Sequence, residues 1–216
     1  MAKPASPLTH ASRVFERLRQ DIVNGRFKAG EKIAINTLKA RYEVGLSPLR
    51  EALNKLAAYG LLIQENQRGF RVPGLDRAEL DDIAEMRRRL ECMALEQAMR
   101  YGDAEWESAL LAAAHRLRRA DGDSVEQWEA LHLHFHRTLV APCGSPWLLR
   151  FIEQLHDQFD RYRRRAPDNP SIREVLDAQH DQLVELALKR ETRAASLCLE
   201  NHVLLSYQVA LESCRD

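Results

Sequence analysis

The segment from Leu38 to Val72, LKARYEVGLSPLREALNKLAAYGLLIQENQRGFRV, constrains the fold more than any other part of the chain. Ser47 is placed to cap a helix, and Pro48 suits the first helical position, where a missing N–H costs nothing. Leu49, Ala52, Leu53, Leu56 and Ala57 follow at helical spacing and define a buried face. Arg50 and Asn54 fall off that stripe and point outward. Gly60 ends the helix, after which Leu61-Leu62-Ile63, Asn66-Gln67-Arg68-Gly69 and Phe70-Arg71-Val72 read as strand, turn and strand. With a short helix ahead of it, this is the order of a winged helix-turn-helix, a shape used mainly to set one helix into the DNA major groove.

Charge agrees with that reading once it is counted by segment. The whole chain carries equal numbers of basic and acidic residues. Residues 1–74 hold thirteen basic against six acidic side chains, a net of +7, so the remainder carries −7. A basic front module suits a phosphate-rich partner, because phosphate attraction dominates affinity for nucleic acid. Cys92, Cys143, Cys198 and Cys214 are scattered without a CxxC pair and read as reduced thiols of a cytoplasmic protein. The start, MAKPASPLTH, lacks the apolar core of a signal peptide, and no run is long enough to span a bilayer, so no membrane partner is expected.

The spacing predicts a flexible tail over 1–10, a winged helix-turn-helix over 11–74 and an all-α domain over 75–216. In the front part a helix is expected from Ser12 to Asn24, with Asn36 capping the next one. Pro73-Gly74 breaks the chain, and Asp76 with Glu79 forms a capping box that starts the rear domain. Ser124 with Gln127 and Ser171 with Glu174 repeat that spacing, Asp103 is a plain cap, and Ser145 precedes Pro146. Helices are expected over roughly 77–100, 104–120, 125–141, 146–166, 171–189 and 192–213, with no strand-like alternation between them. The fold class is therefore mainly α, a winged helix-turn-helix with a small β-wing followed by a helical bundle.

With these elements placed, the chain resembles the GntR family of bacterial transcription regulators, in the FadR group whose rear domain is the helical FCD ligand-binding domain. The resemblance rests on Ile22-Val23-Asn24-Gly25, Ala29-Gly30-Glu31-Lys32-Ile33, Pro48-Leu49-Arg50-Glu51-Ala52-Leu53, and Arg68-Gly69 ahead of Val72. The stretch WEALHLHFHRTLVAPCGSPWLL, Trp128 to Leu149, is most similar to carbon-starvation regulators of GABA and glutarate utilisation genes. The family usually has Ser or Thr and then Arg before the proline turn, whereas this chain has Gly45 and Leu46. Its DNA contacts therefore carry over to Ser47 and Arg50, with Asn36, Arg68 and Gly69 as weaker transfers.

His132 and His136 are four apart and share a helix face. His180 and His202 lie on two later helices, so three helices could converge their imidazoles on one divalent transition metal, zinc first, with nickel or another ion as alternatives. The resemblance matches His136, His180 and His202 to the family's three metal histidines and puts His132 where the family commonly has Asp. His134 faces elsewhere. A rival pattern is Glu129-x-x-His132 with Asp177-x-x-His180, the carboxylate–histidine spacing of di-iron bundles, but the further bridging carboxylates are missing. Arg87 lies where the resemblance implies an anchor for an effector carboxylate, a role suited to a guanidinium that grips both oxygens. Arg161 and Tyr162 are further candidates for lining that site.

The reading is a homodimeric repressor that binds a pseudo-palindromic double-stranded operator and is released by a small carboxylate. A metal-dependent enzyme with an accessory DNA-binding module is the alternative.

Overall fold

The computed structural model describes residues 9–65, 69–120, 124–167 and 169–214. The Thr9 hydroxyl accepts from the Ser12 N–H at 3.1 Å, and this cap starts α1 (His10–Val23) two residues ahead of the expected Ser12. Residues 1–8 of the expected tail lie outside the described residues. β1 (Lys32–Ile33) precedes α2 (Ile35–Tyr42) and α3 (Leu46–Ala58), and the wing is β2 (Ile63–Glu65) with β3 (Gly69–Arg71). The sheet order is β1-β3-β2, antiparallel throughout, with Ile33 opposite Phe70 and Ile63 opposite Arg71.

Two expected caps move. α3 starts at Leu46 behind an extended Gly45, so Ser47 and Pro48 lie inside its first turn rather than at its boundary. Proline is tolerated there because the first four N–H groups of a helix have no intrahelical partner. Asn36 is the second residue of α2, not its cap, and is exposed. Leu61 and Leu62 are buried in the apolar core of the head rather than paired in the wing, whose first strand begins at Ile63.

The rear part is helical. α4 (Arg77–Tyr101), α5 (Ala104–Arg118), α6 (Val125–Val140), α7 (Pro146–Arg163), α8 (Pro170–Leu188) and α9 (Thr192–Leu211) follow in order. Asp76, Asp103, Ser124 and Ser145 cap as expected, and Ser124 with Gln127 completes a capping box. Asp76 accepts from Glu79 N–H, but the Glu79 carboxylate accepts from the Tyr162 hydroxyl. α8 begins one residue before Ser171, because Asn169 caps it and Pro170 takes the first position.

Head and bundle have separate apolar cores. Leu18, Ile22, Leu49, Leu53, Leu56 and Val72 fill the first, and Leu95, Leu110, Phe135, Leu183, Leu199 and Val203 fill the second. Ala94, Ala98, Ala187 and Ala195 are buried where their small side chains let the bundle helices approach closely.

α7 joins the two parts. Gln154 and Gln158 donate to the Tyr59 carbonyl, both at 3.1 Å, and Arg161 donates to the carbonyls of Pro73 and Gly74 at 3.0 and 2.9 Å. Arg165 donates to the Phe27 carbonyl at 3.0 Å, and Arg19 of α1 pairs with Asp157 at 2.6 Å. Gly60, at φ +80°, sits under this contact. A Cβ there would come within 2.9 Å of Gln158 Nε2, so both its conformation and its space call for glycine.

Candidate metal centre and DNA-reading face

α6, α8 and α9 each bring histidine to the middle of the bundle. His132 and His136, one turn apart on α6, meet His180 and His202 so that one ligand nitrogen from each lies within 4.8 Å of the others. That span compares with roughly 4 Å across an ion whose bonds to nitrogen are about 2.1 Å. The Nε2 atoms of His132 and His136 are 3.1 Å apart, and the His180 and His202 ring centres 4.6 Å apart.

The protonation chemistry suits a cation. Burial pushes His132, His136 and His202 well below the usual imidazole range. The Arg163 guanidinium acts the same way on His132. Neutral imidazoles keep the lone pair a metal needs. His202 Nδ1 donates to Gln179 Oε1 at 3.2 Å, which leaves Nε2 free to coordinate. Both ring nitrogens of His180 are buried without a hydrogen-bond partner, a state that an ion would relieve. The four residues therefore fit a metal ion. Among the described residues the cluster contains no carboxylate. Glu129 is gripped by Arg163, and Asp177, half exposed, lies 3.7 Å from His180 Nδ1. The paired carboxylate–histidine pattern therefore does not assemble a two-metal site.

A cavity of about 290 Å³ opens beside the cluster, lined by Trp128, Glu129, His132, Arg163, Arg164 and His180 among others. On the opposite flank His136 and His156 line a more apolar cavity of about 370 Å³ with Leu133, Leu149 and Ile152. Arg87 is buried. Its Nε donates to Glu91 Oε1 at 2.7 Å, and its guanidinium lies 4.3 Å from the centre of the Phe159 ring. His156 Nε2 meets the same Glu91 oxygen at 3.0 Å. Arg161 is fully buried against the Pro73-Gly74 linker, and the Tyr162 hydroxyl bonds Glu79 and the Asp76 N–H. Neither Arg161 nor Tyr162 is among the described residues lining the two cavities beside the histidines.

Beside the cluster lie charged groups of which the sequence singled out only Glu129. Arg163 spans Glu129 with two nitrogens, Nη1 to Oε1 at 2.9 Å and Nη2 to Oε2, and contacts Asp160 at 3.0 Å. Arg164 reaches Asp160 at 2.9 Å, Glu129 at 3.3 Å and the Asn24 side chain. Burial works against the Asp160 carboxylate, yet Arg163 and Arg164 hold its pKa below the usual carboxylate range.

In the head, Asn36, Arg50, Asn54 and Gly69 line one open cleft of about 530 Å³ between α2, α3 and the wing. Arg50 and Ser47 are exposed, as is Leu46 at the front of α3. Arg68 lies outside the described residues.

Residues 10–72 match the bacterial regulatory proteins of the gntR family, and residues 82–205 match the FCD domain. The chain belongs to the GntR family, in the FadR group that carries an FCD domain. It is 39% identical over 203 residues to BphR of Paraburkholderia xenovorans, an uncharacterized HTH-type transcriptional regulator, across 90% of this chain and 82% of that protein. It is 37% identical over 196 residues to the HTH-type transcriptional repressor GlaR of Escherichia coli, across 87% of this chain and 89% of that one. The solved structure of E. coli McbR/YncC superposes with a TM-score of 0.86 over 97% of this chain and all of that one, at 21% identity, a likeness of fold. The protein is thus a DNA-binding regulator of transcription, from a family of regulators rather than enzymes. No helix among the described residues is long and apolar enough to cross a membrane.

Proposed function

We propose that this regulator is a dimeric repressor whose rear domain holds a divalent transition metal on His132, His136, His180 and His202 and binds a small carboxylate there. The observation that carries the reading is the four-imidazole cluster, in which neither His180 nitrogen makes a hydrogen bond, set beside a cavity walled by Arg163 and Arg164. Four neutral nitrogen ligands favour zinc, nickel or a similar borderline-soft ion over magnesium or calcium. A metal-bound acid in a buried cavity needs cationic partners, since an unpaired buried carboxylate is costly. An acid held by Arg87 would have to displace Glu91 from it.

The preference for C4–C5 acids near glutarate, succinate and GABA rests on the similarity of the Trp128–Leu149 stretch to regulators of their utilisation genes. Repression is favoured by the relatives named as repressors. Each subunit would place α3 in one half-site of a pseudo-palindrome, with Asn36, Ser47, Arg50 and the Arg68-Gly69 wing contacting DNA. The acid acts only if it binds the DNA-competent arrangement and its rival with different affinity. Footprinting upstream of the protein's own gene, with and without each acid, tests the reading. Protection that glutarate, succinate and GABA all leave unchanged would refute an acid effector.

A further inference from the structure

Glu129 and Arg164 form a wall between two cavities. One is the 290 Å³ cavity beside His132 and His180. The other, of about 500 Å³, opens between head and bundle, where Arg17, Asn24, Arg41 and Asp157 line it. Both wall residues line both spaces. Building on the acid-effector reading above, we propose that the acid's carboxylate is read by Arg163 and Arg164 in exchange for Glu129, and that this exchange loosens the hold of Arg164 on Asn24 of the head.

Glu129 already shows how such a carboxylate is held. It accepts from both terminal nitrogens of Arg163 in the two-pronged manner that guanidinium and carboxylate favour, with Glu129 buried and Arg163 largely so. It is an internal occupant of the position an acid would take. Arg164 also has a donor to spare, because its Nε–H is buried without a partner. Buried donors left unpaired are uncommon and mark a place where a ligand can complete the bonding. Glu129 and Asp160 now match the two guanidinium charges. A third carboxylate arriving at the same guanidinium nitrogens competes with Glu129 for them. The outlet for Glu129 is the adjoining cleft, where Arg17 and Arg41 face the same space.

The exchange reaches the head because the turn that closes α7 touches both. Arg164 Nη1 donates to the Asn24 side-chain oxygen at the C-terminal cap of α1, and the next residue, Arg165, donates to the Phe27 carbonyl. Phe27 belongs to the head core. A shift of Arg164 toward the acid is therefore felt at the end of α1. Arg87, by contrast, already has Glu91 as its partner, with His156 on the same oxygen.

The test uses the full-length, metal-loaded protein, with glutarate, succinate and GABA as probes. Calorimetry measures acid affinity, and fluorescence anisotropy measures release from the operator. Arg163→Gln should weaken binding of the best probe about tenfold or more, the loss expected for a charge-assisted bond. Glu129→Gln keeps the shape but removes the competing charge, so it should tighten the same probe several-fold. It also decides the matter if Arg163→Gln fails to fold. Asn24→Ala removes the hold of Arg164 on Asn24 from the acid-free protein, so it should lower several-fold the acid concentration needed for half-release. Folded Arg163→Gln and Glu129→Gln proteins that bind the probe like the wild type would overturn the carboxylate reading while leaving the acid-effector function standing. Unchanged release in Asn24→Ala would overturn the link to the head. Failure of the wild type to bind any probe would instead refute the acid-effector function on which the proposal rests.

Discussion

Gln179 holds His202. Its Oε1 lies 3.2 Å from His202 Nδ1, so it accepts the proton on that nitrogen and leaves Nε2 with its lone pair. The two residues belong to different helices, α8 and α9, and the bond sets the ring before any ion arrives. Gln179→Leu should lower metal affinity about 10- to 100-fold, the usual effect of losing a group that orients a ligand. Competition with a fluorescent chelator gives the number. An affinity equal to wild type would show that packing alone orients the ring.

Removing the metal should lower thermal stability, since an ion bound only to the folded state stabilises it by about 4 kcal/mol when present at 1,000 times its dissociation constant. Elemental analysis of protein purified without a histidine tag should find one transition-metal ion per subunit. His202→Ala should lose the ion, and its melting temperature should not respond to chelator. A fully loaded His202→Ala protein would remove that residue from the site.

Arg50→Ala should weaken operator binding by about 1–3 kcal/mol, the value of one good two-pronged base contact. The side chain is exposed on α3, away from Leu49, Leu53 and Leu56, so the melting temperature should stay put. Undiminished gel-shift affinity would mean that another face of the head reads DNA.

Glu91 should shape the acid limb of stability. Burial works to raise its pKa, but Arg87 and His156 outweigh burial and hold it at about 2, against an ordinary value of 4.5. A carboxyl depressed in the folded state stabilises above its unfolded pKa, and that share is lost as pH falls from about 4.5 to about 2. The share is about 3 kcal/mol. Denaturant melts at several pH values should show Glu91→Gln flattening this limb. The variant should also be less stable than wild type at neutral pH, because Arg87 is left buried without its partner. An unchanged acid limb would rule Glu91 out as its source.

Gly60→Ala should cost stability although it adds only a methyl group. Alanine is strained at φ +80°, and its Cβ would press on Gln158 Nε2. A denaturant titration should show a loss of about 1 kcal/mol or more. If stability is unchanged, the turn tolerates a shift between head and bundle.

What the sequence made legible was whatever is written in local spacing. Leu49, Leu53 and Leu56 repeat with the helix, Ser124 and Gln127 face each other across one turn, and His132 and His136 stack on one side of α6. β1 is only two residues long and offers no alternation to detect. Spacing places the start of α3 too late, because Ser47-Pro48 carries a strong cap signal while an extended Gly45 needs no side chain to begin a helix. Family likeness, more than spacing, brought His180 and His202 to the same centre. The pairing of Arg163 with Glu129 was out of reach, since it joins residues 34 apart on two helices and no periodicity marks it. Arg161, a candidate lining residue, is instead fully buried against Pro73 and Gly74, a placement that depends on how α7 meets the linker.

Much of the grip of α7 on the head is taken on main-chain oxygens, those of Phe27, Tyr59, Pro73 and Gly74. A carbonyl is present whatever side chain its residue bears. Descendants of this protein can therefore exchange residues on the outer surface of α3, where the proposed DNA contacts lie, without renegotiating the joint to the bundle. Operator choice and chemical sensing are free to diverge at different speeds, held to one another by backbone that mutation does not erase.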